Sequence, residues 1–326
     1  MARRPLTPQE QLASDLTRQM LKTPEGTKLV LILVVLSLFF FAGYWLWENR
    51  PWLPRRAPAS LPPPPPTTVP ATAPVRPVRV ATWNLKKFSD RARPDLATIA
   101  SLIRSHSFDL IAIQEVQQQG QSVQRLRMTL GEPWRHVISE QTGNNERFAF
   151  LYRSDVVETI TDPAFITSPE SVNFDRIPYA ATFRAGQFDF TLLTVHSWYG
   201  DANFNARRQQ ETQALARVCE SLLATSAEKD LVVLGDFNEF RTGGNLHYLA
   251  ALNLLPVNFT PTNLSSTEVY DNILINRSHT REFTNITGVL MFDETHFTND
   301  DKRASDDISD HRPVFADFHT TLPDDD

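Results

Sequence analysis

The chain has 326 residues, 41% of them hydrophobic, and a formal net charge of −6, so it can bury a large core as one big domain or two ordinary ones. Through residue 77 there are 9 Lys or Arg against 4 Asp or Glu, which leaves 23 against 34 beyond it; that acidic remainder argues against a sequence-independent DNA-coating protein, which needs a basic face, but not against an enzyme whose metal ion offsets local carboxylates. Cys219 is the only cysteine, which excludes a disulfide framework and a Cys-based zinc site.

Residues 1–28 form a polar arm. Residues 29–47, LVLILVVLSLFFFAGYWLW, carry no charge and are long enough to cross a hydrocarbon core as a helix. A buried core helix would have no sequence neighbours to cover it. A cleaved signal peptide would end in small residues, whereas Tyr44, Trp45 and Trp47 suit a membrane interface. A single-pass anchor is therefore expected. Arg18, Lys22 and Lys28 nearly balance Arg50, Arg55 and Arg56 across it, and Arg3 and Arg4 tip the N-terminus towards the cytoplasm, with the rest of the chain outside. Residues 48–77, with Pro62 to Pro66 at their centre, read as an extended, semi-rigid spacer.

Residues 78–320 switch to short apolar runs alternating with helix-compatible stretches, the pattern of one α/β domain, and residues 321–326 form an acidic tail. Strands are expected at 78–82, 110–114, 148–152, 180–184, 188–195, 231–234, 270–275 and 314–318. Helices are expected at 95–105, 123–130, 207–223 and 244–252. Alternation such as TFRAGQFDFTLLTV favours antiparallel pairs over an all-parallel sheet. The acidic segment 299–307 reads as a solvated loop, with a structural Ca²⁺ as the alternative.

Nearly every expected strand ends in a residue that can bind a metal, move a proton or hold an anion: Asn84, Glu115, His196, Asp236 with Asn238, and Asp310 with His311 on the approach to the last strand. Asp236 and Asn238 place a carboxylate and an amide on one side of an extended segment, the mixture of hard oxygen ligand and neutral polar group that a phosphoryl centre with one Mg²⁺ requires. A simple turn would use the same residues. His311 beside a carboxylate suits a general acid or base near neutral pH.

Taken in order, TWN, IQEV, NERFAFLYR, TVHS, GDFN, YDNILI and SDHRPV resemble the motif series of the endonuclease/exonuclease/phosphatase superfamily. The contexts of Glu146 (NERFAF) and Arg176 (FDRIPYA) are most similar to its pancreatic-type deoxyribonuclease branch. The resemblance implies an α/β four-layer sandwich, two packed mixed β-sheets flanked by helices, here preceded by the transmembrane helix and Pro-rich linker. It implies Glu115 as the principal metal carboxylate, with Asn84 assisting and Asp310 near the same ion, Mg²⁺ or alternatively Mn²⁺. His311 would pair with Asp271 and His196 with Glu146. Asp236 would orient or deprotonate the attacking water, Asn238 would hold the phosphate, and Arg176 would contact it.

The site identifies a reaction class more firmly than a substrate. The inositol-polyphosphate branch would show Cys-Asp-Arg before the late strand, where this chain has Val269-Tyr270-Asp271-Asn272; the abasic-site branch would show Asn-x-Asn-Gly and a lysine after the glutamate, where it has Asn84-Leu85-Lys86-Lys87 and Glu115-Val116-Gln117. DNA is thus the expected substrate, with Lys86, Lys87, Arg147, Arg176, Arg207 and Arg208 as possible backbone contacts. A lipid or small phosphorylated substrate is the alternative. An anchored, inactive binding module would need to have lost catalytic groups, and none of the expected ones is missing. No protein partner follows from the sequence.

Overall fold

The computed structural model describes residues 76–92, 94–166, 168–200, 205–239 and 244–324. The polar arm, the expected membrane anchor at 29–47 and the linker up to residue 75 lie outside the described residues, and among those described no helix is long and apolar enough to cross a membrane.

In chain order the elements are β1 (Val78–Phe88), α1 (Leu96–Ser105), β2 (Leu110–Val116), α2 (Gln121–Leu130), β3 (Trp134–Ile138), β4 (Arg147–Arg153), β5 (Glu158–Thr159), β6 (Ala164–Phe165), β7 (Tyr179–Ala185), β8 (Phe188–His196), α3 (Asn205–Thr225) and β9 (Leu231–Asp236). After these come α4 (His247–Ala250), β10 (Leu254–Pro256), β11 (Asp271–Asn276), β12 (Phe283–Val289), α5 (Phe292–Thr295), α6 (Asp301–Asp307) and β13 (Val314–Phe318). One sheet runs β12-β13-β1-β2-β4-β3 and the other β10-β11-β9-β8-β7-β5, with β6 also paired to β7. The β1–β2 and β8–β9 pairs are parallel, and their neighbours β13, β4, β7 and β11 pair antiparallel. Both sheets are therefore mixed, and the alternating run TFRAGQFDFTLLTV lies in the antiparallel pair β7–β8.

The period-2 alternation of the strands sorts apolar side chains into layers. Val78, Val80, Leu110 and Ala112 of one sheet meet Phe190, Leu192, Val232 and Leu234 of the other. Their chain neighbours Ala81, Trp83, Ile111 and Ile113 face the opposite way, onto Ile99, Leu102 and Ile103 of α1 and Val123 and Leu126 of α2. On the far side Leu193, Val195 and Val233 pack on Leu215, Val218 and Cys219 of α3. Helices, sheet, sheet and helices thus form the four layers. Stacked rings such as Phe188 on Phe318, with centroids 5.2 Å apart, close the inter-sheet core, each fully buried ring contributing about 1.5–3 kcal/mol.

All eight expected strands are present: 314–318 is matched end to end, 270–275 is shifted by one residue to Asp271–Asn276, and the others are extended, β1 most of all, to Phe88. The structure also corrects the sequence reading in places. The helix expected at 244–252 is the single turn α4. Strand β12, FTNITGV, carries Asn and Gly and lacks a clean apolar face, so its period is hidden. The segment 299–307 is mostly the helix α6, capped by Asp300, whose side chain accepts from Arg303 N at 3.0 Å. Pairs Lys302–Asp306 and Arg303–Asp307 at i,i+4 brace it, which leaves little of a cation-binding loop.

Candidate active site

At one edge of the sandwich the inward-facing positions change from apolar to polar, one register step at a time. Beyond Val80, Ala112 and Leu192 come Thr82, Gln114 and Thr194, all buried. Thr82 Oγ1 donates to Gln114 Oε1 at 3.2 Å, and Gln114 Nε2 donates across to Thr194 Oγ1 of the second sheet at 2.9 Å. The next inward positions are Asn84, His196 and Asp236. Pairing aligns His196 with Asp236 and Asp236 with Asp271, so three site residues are neighbours across β8, β9 and β11. Gly235 keeps β8 and β9 paired to this edge: its φ is +142°, and a Cβ there would lie 2.0 Å from Val195 O.

Glu115 would face the outer helices by simple alternation. Instead its backbone is left-handed, φ 59°, as are Lys86 and Lys87 opposite it, φ 33° and 49°, and the β1–β2 register slips between Asn84 and Phe88. This bulge re-aims the carboxylate. Glu115 Oε1 accepts from Asn84 Nδ2 at 2.9 Å and Oε2 from Lys87 N at 2.7 Å. Asn84 Nδ2 also donates to Asp236 Oδ2 at 2.9 Å, so one amide ties the two sheets together at the mouth of the site. Asn238, also left-handed at φ 50°, gives its backbone N–H to Asp236 Oδ1 at 2.9 Å and its Nδ2 to Ser197 O at 2.9 Å. Both Asp236 oxygens are thereby held.

Two histidine–carboxylate pairs flank Asp236. His311 Nδ1 lies 2.8 Å from Asp271 Oδ2 and 3.8 Å from Asp236 Oδ2. Burial opposes charge on this ring, but the Asp271 and Asp236 carboxylates, the hydrogen bond to Asp271 and nearby Asp310 push its pKa up to about 10. His311 therefore stays an imidazolium through neutral pH. Asp271 is fully buried, its Oδ1 has no hydrogen-bond partner, and burial raises its own carboxyl.

On the other side His196 Nδ1 is 2.9 Å from Glu146 Oε2 and Nε2 is 3.6 Å from Asp236 Oδ2. The contact with Glu146 is close but poorly aimed, since Nδ1 has no hydrogen-bond partner of good geometry. Arg176 grips Glu146 with two bonds, Nε to Oε2 at 2.6 Å and Nη2 to Oε1 at 3.0 Å. Burial works against the Glu146 charge, yet His196 and Arg176 hold its pKa down at about 2.

These residues surround a cleft of about 490 Å³ lined by Lys86, Glu115, His196, Asp236, Asn238 and His311, together with Tyr199, Tyr270 and Asp310. The expected metal carboxylates Glu115 and Asp310 both reach it. They offer hard oxygens, the donor type a divalent cation such as Mg²⁺ prefers, so the residues present fit one. Asp310 Oδ2 lies 3.3 Å from Lys86 Nζ. A second group that could hold a metal, Asp236, Asp271 and His311, is already engaged by the His311–Asp271 bond.

Of the six basic residues read as possible backbone contacts, Lys86 and Lys87 line this cleft. Arg147 and Arg208 are buried, with Arg147 bonded to Gln118 O and Ser139 O. Arg176 is also buried and lines a neighbouring cleft with Asn144, Asp175, Trp198 and Tyr199. Sequence reasoning missed the Thr82–Gln114–Thr194 ladder, although the inward parity of Gln114 in IQEV and Thr194 in TVHS marks it. It also missed the anchoring of Arg312, whose Nε donates to Asp293 Oδ1 at 2.7 Å and Nη1 to Ser266 Oγ at 2.9 Å, fixing the segment that carries His311.

The sequence matches the endonuclease/exonuclease/phosphatase family over residues 81–311. A protein of Thioalkalivibrio sp. (strain K90mix) named Deoxyribonuclease is 31% identical over 262 residues, 74% of this chain and 71% of that protein. Deoxyribonuclease-1 of Gallus gallus is 26% identical over 265 residues, 73% of this chain and 90% of its own length. Among solved structures, a mannosyl-6-phosphatase of Bacteroides thetaiotaomicron shares the fold with a TM-score of 0.53 at 17% identity, covering 73% of this chain and 98% of that one.

Proposed function

The chain belongs to the endonuclease/exonuclease/phosphatase family and is a phosphoesterase; we propose that it is a Mg²⁺-dependent, DNase-like endonuclease, held on a membrane by residues 29–47 with its catalytic domain outside the cytoplasm. The observation that carries the catalytic part is the placement of two histidine–carboxylate pairs on either side of one immobilised carboxylate, Asp236. DNA as substrate is supported by the names of the two deoxyribonuclease relatives. The anchor and its orientation rest on the sequence.

Hydrolysis of a phosphodiester needs an activated water, charge neutralisation on the phosphoryl oxygens and a proton for the leaving alkoxide. Asp236, with both oxygens fixed, orients the water and accepts its proton. His311 enters charged and donates a hydrogen bond or proton from Nε2, since Nδ1 is occupied by Asp271. One Asn238 Nδ2 proton is used by Ser197 O, which leaves the other for a phosphoryl oxygen. His196 carries the second cation-capable ring. Glu115 and Asp310 would hold a divalent cation, which would supply charge neutralisation at the phosphate.

The test is a substrate panel on the detergent-solubilised full chain, with and without Mg²⁺: plasmid, linear duplex, single-stranded DNA, and lipid and sugar phosphodiesters. DNA should be cut only with the metal, and His311→Ala should lose about 10²–10⁴-fold in kcat. DNA left intact while a lipid or sugar phosphodiester is hydrolysed would overturn the nuclease assignment. A reporter fused to Asp326 that is active only in the cytoplasm would overturn the orientation.

A further inference from the structure

Helix α3 buries a carboxylate that the proposed chemistry does not use. Glu211 is 2% exposed, and burial pushes its carboxyl up, so an apolar residue on the same face would avoid a desolvation cost. Each of its oxygens instead receives a short backbone bond from a different loop: Oε1 from Asp175 N at 2.7 Å and Oε2 from Trp198 N at 2.6 Å. Asp175 precedes Arg176, the residue that grips Glu146. Trp198 lies two residues beyond His196, which that same Glu146 supports. One turn earlier on α3, buried Arg208 donates Nη1 to Gly200 O at 2.6 Å, and Arg207 stands 5.8 Å over the Trp198 ring. The start of α3 therefore holds the segment after His196 by several contacts, but Glu211 is the group that joins it to the Arg176 loop.

We infer that Glu211 is a positioning residue, which locks the Arg176 loop and the His196 strand end into one frame and so sets how Glu146 meets His196. Two charge-assisted bonds to backbone donors are stiff and directional, and a displacement of either loop changes the reach of the Arg176 fork or of the imidazole. The inference rests on the assignment of Arg176, Glu146 and His196 to the phosphodiesterase site. Wild-type hydrolysis tests that assignment, whereas ratios among variants test Glu211.

Glu211→Gln keeps the shape but turns an NH₂ towards one of the two N–H donors. Its kcat should fall about tenfold with KM changed less than about threefold, and Glu211→Leu should fall about a hundredfold, the range seen when groups that orient a reactive residue are removed. Val218→Ala, a buried apolar change on the same helix, controls for stability: it should lower Tm yet keep kcat near wild type. Arg176→Met combined with Glu211→Gln should lose clearly less than the product of the two single losses, because both act on the contact between Glu146 and His196. The proposal is overturned by a Glu211→Gln enzyme with wild-type kcat, by additive losses in the double variant, or by Val218→Ala losing kcat in step with its Tm.

Discussion

The two sides of the site use the same pair, a histidine and a carboxylate, and build opposite electrostatic states around it. Glu146 has a third partner, the fork of Arg176, so its negative charge is permanently compensated and its pKa lies near 2. Asp271 has no arginine; it is fully buried, with His311 as its cationic neighbour. The charge that Arg176 supplies on one side must be supplied by the imidazole itself on the other, which is why His311 is pushed up to about 10. The identity of the histidine says little about its role. The group behind the carboxylate decides how much of the compensating positive charge the ring itself must supply.

The largest test of that contrast is Asp271→Asn. His311 donates while protonated, hence below its raised pKa, so removing the carboxylate should draw the basic limb of the kcat–pH profile down from near 10 towards the ordinary 6.5. At pH 8 a ring titrating near 6.5 is about one-thirtieth protonated, so lost charge alone should cost about 30-fold, and loss of the bond that orients the ring should take the total to about 10²–10³-fold. A basic limb that does not move would show that another group sets the charge of His311.

Arg176→Met comes next. It leaves Glu146 buried with His196 and the Asn144 amide beside it but no fixed cation, the costly case of a broken internal ion pair, worth roughly 3–5 kcal/mol of stability, and kcat should drop about 10–100-fold. Urea unfolding and steady-state kinetics on the same preparation read both. If stability is unchanged, Glu146 has found another partner and the two sides are more alike than their geometry.

The smallest effect is in acid. Because the folded-state pKa of Glu146 lies below its ordinary 4.5, its pairing stabilises the fold fully above pH 4.5, and that contribution, on the order of 3 kcal/mol, is lost as pH falls through about 2. Urea midpoints measured from pH 5 to pH 2 should show this slope in the wild type and a shallower one in Arg176→Met. Equal slopes would sink the pairing as its source.

Much of this site was legible because strand parity is a local property. Asn84, Glu146, His196, Asp236 and Asp271 each sit at an inward step beyond an apolar run, and that spacing is written in the chain. Glu115 is the instructive exception. It lies at the wrong parity, and only the left-handed turn at its own backbone, opposite Lys86 and Lys87, brings its carboxylate to Asn84. Arg176 was read as a phosphate contact; the fold shows in addition a seat on Glu146 that the sequence did not, because a guanidinium buried beside a buried carboxylate takes the nearest fixed charge.

By itself, then, the sequence determined the strands, the order of their functional ends and the class of chemistry, through period-2 burial and through which side chains can move protons or bind hard cations, and its resemblance to a known family implied the layers. Only the tertiary structure decided that His311 is held charged, that Arg176 seats on Glu146 and that Glu115 turns into the cleft. Those outcomes depend on desolvation and on distances of a few ångströms between residues as far apart in the chain as Asn84 and Asp236 or Asp271 and His311, and such distances exist only once the two sheets have closed on each other.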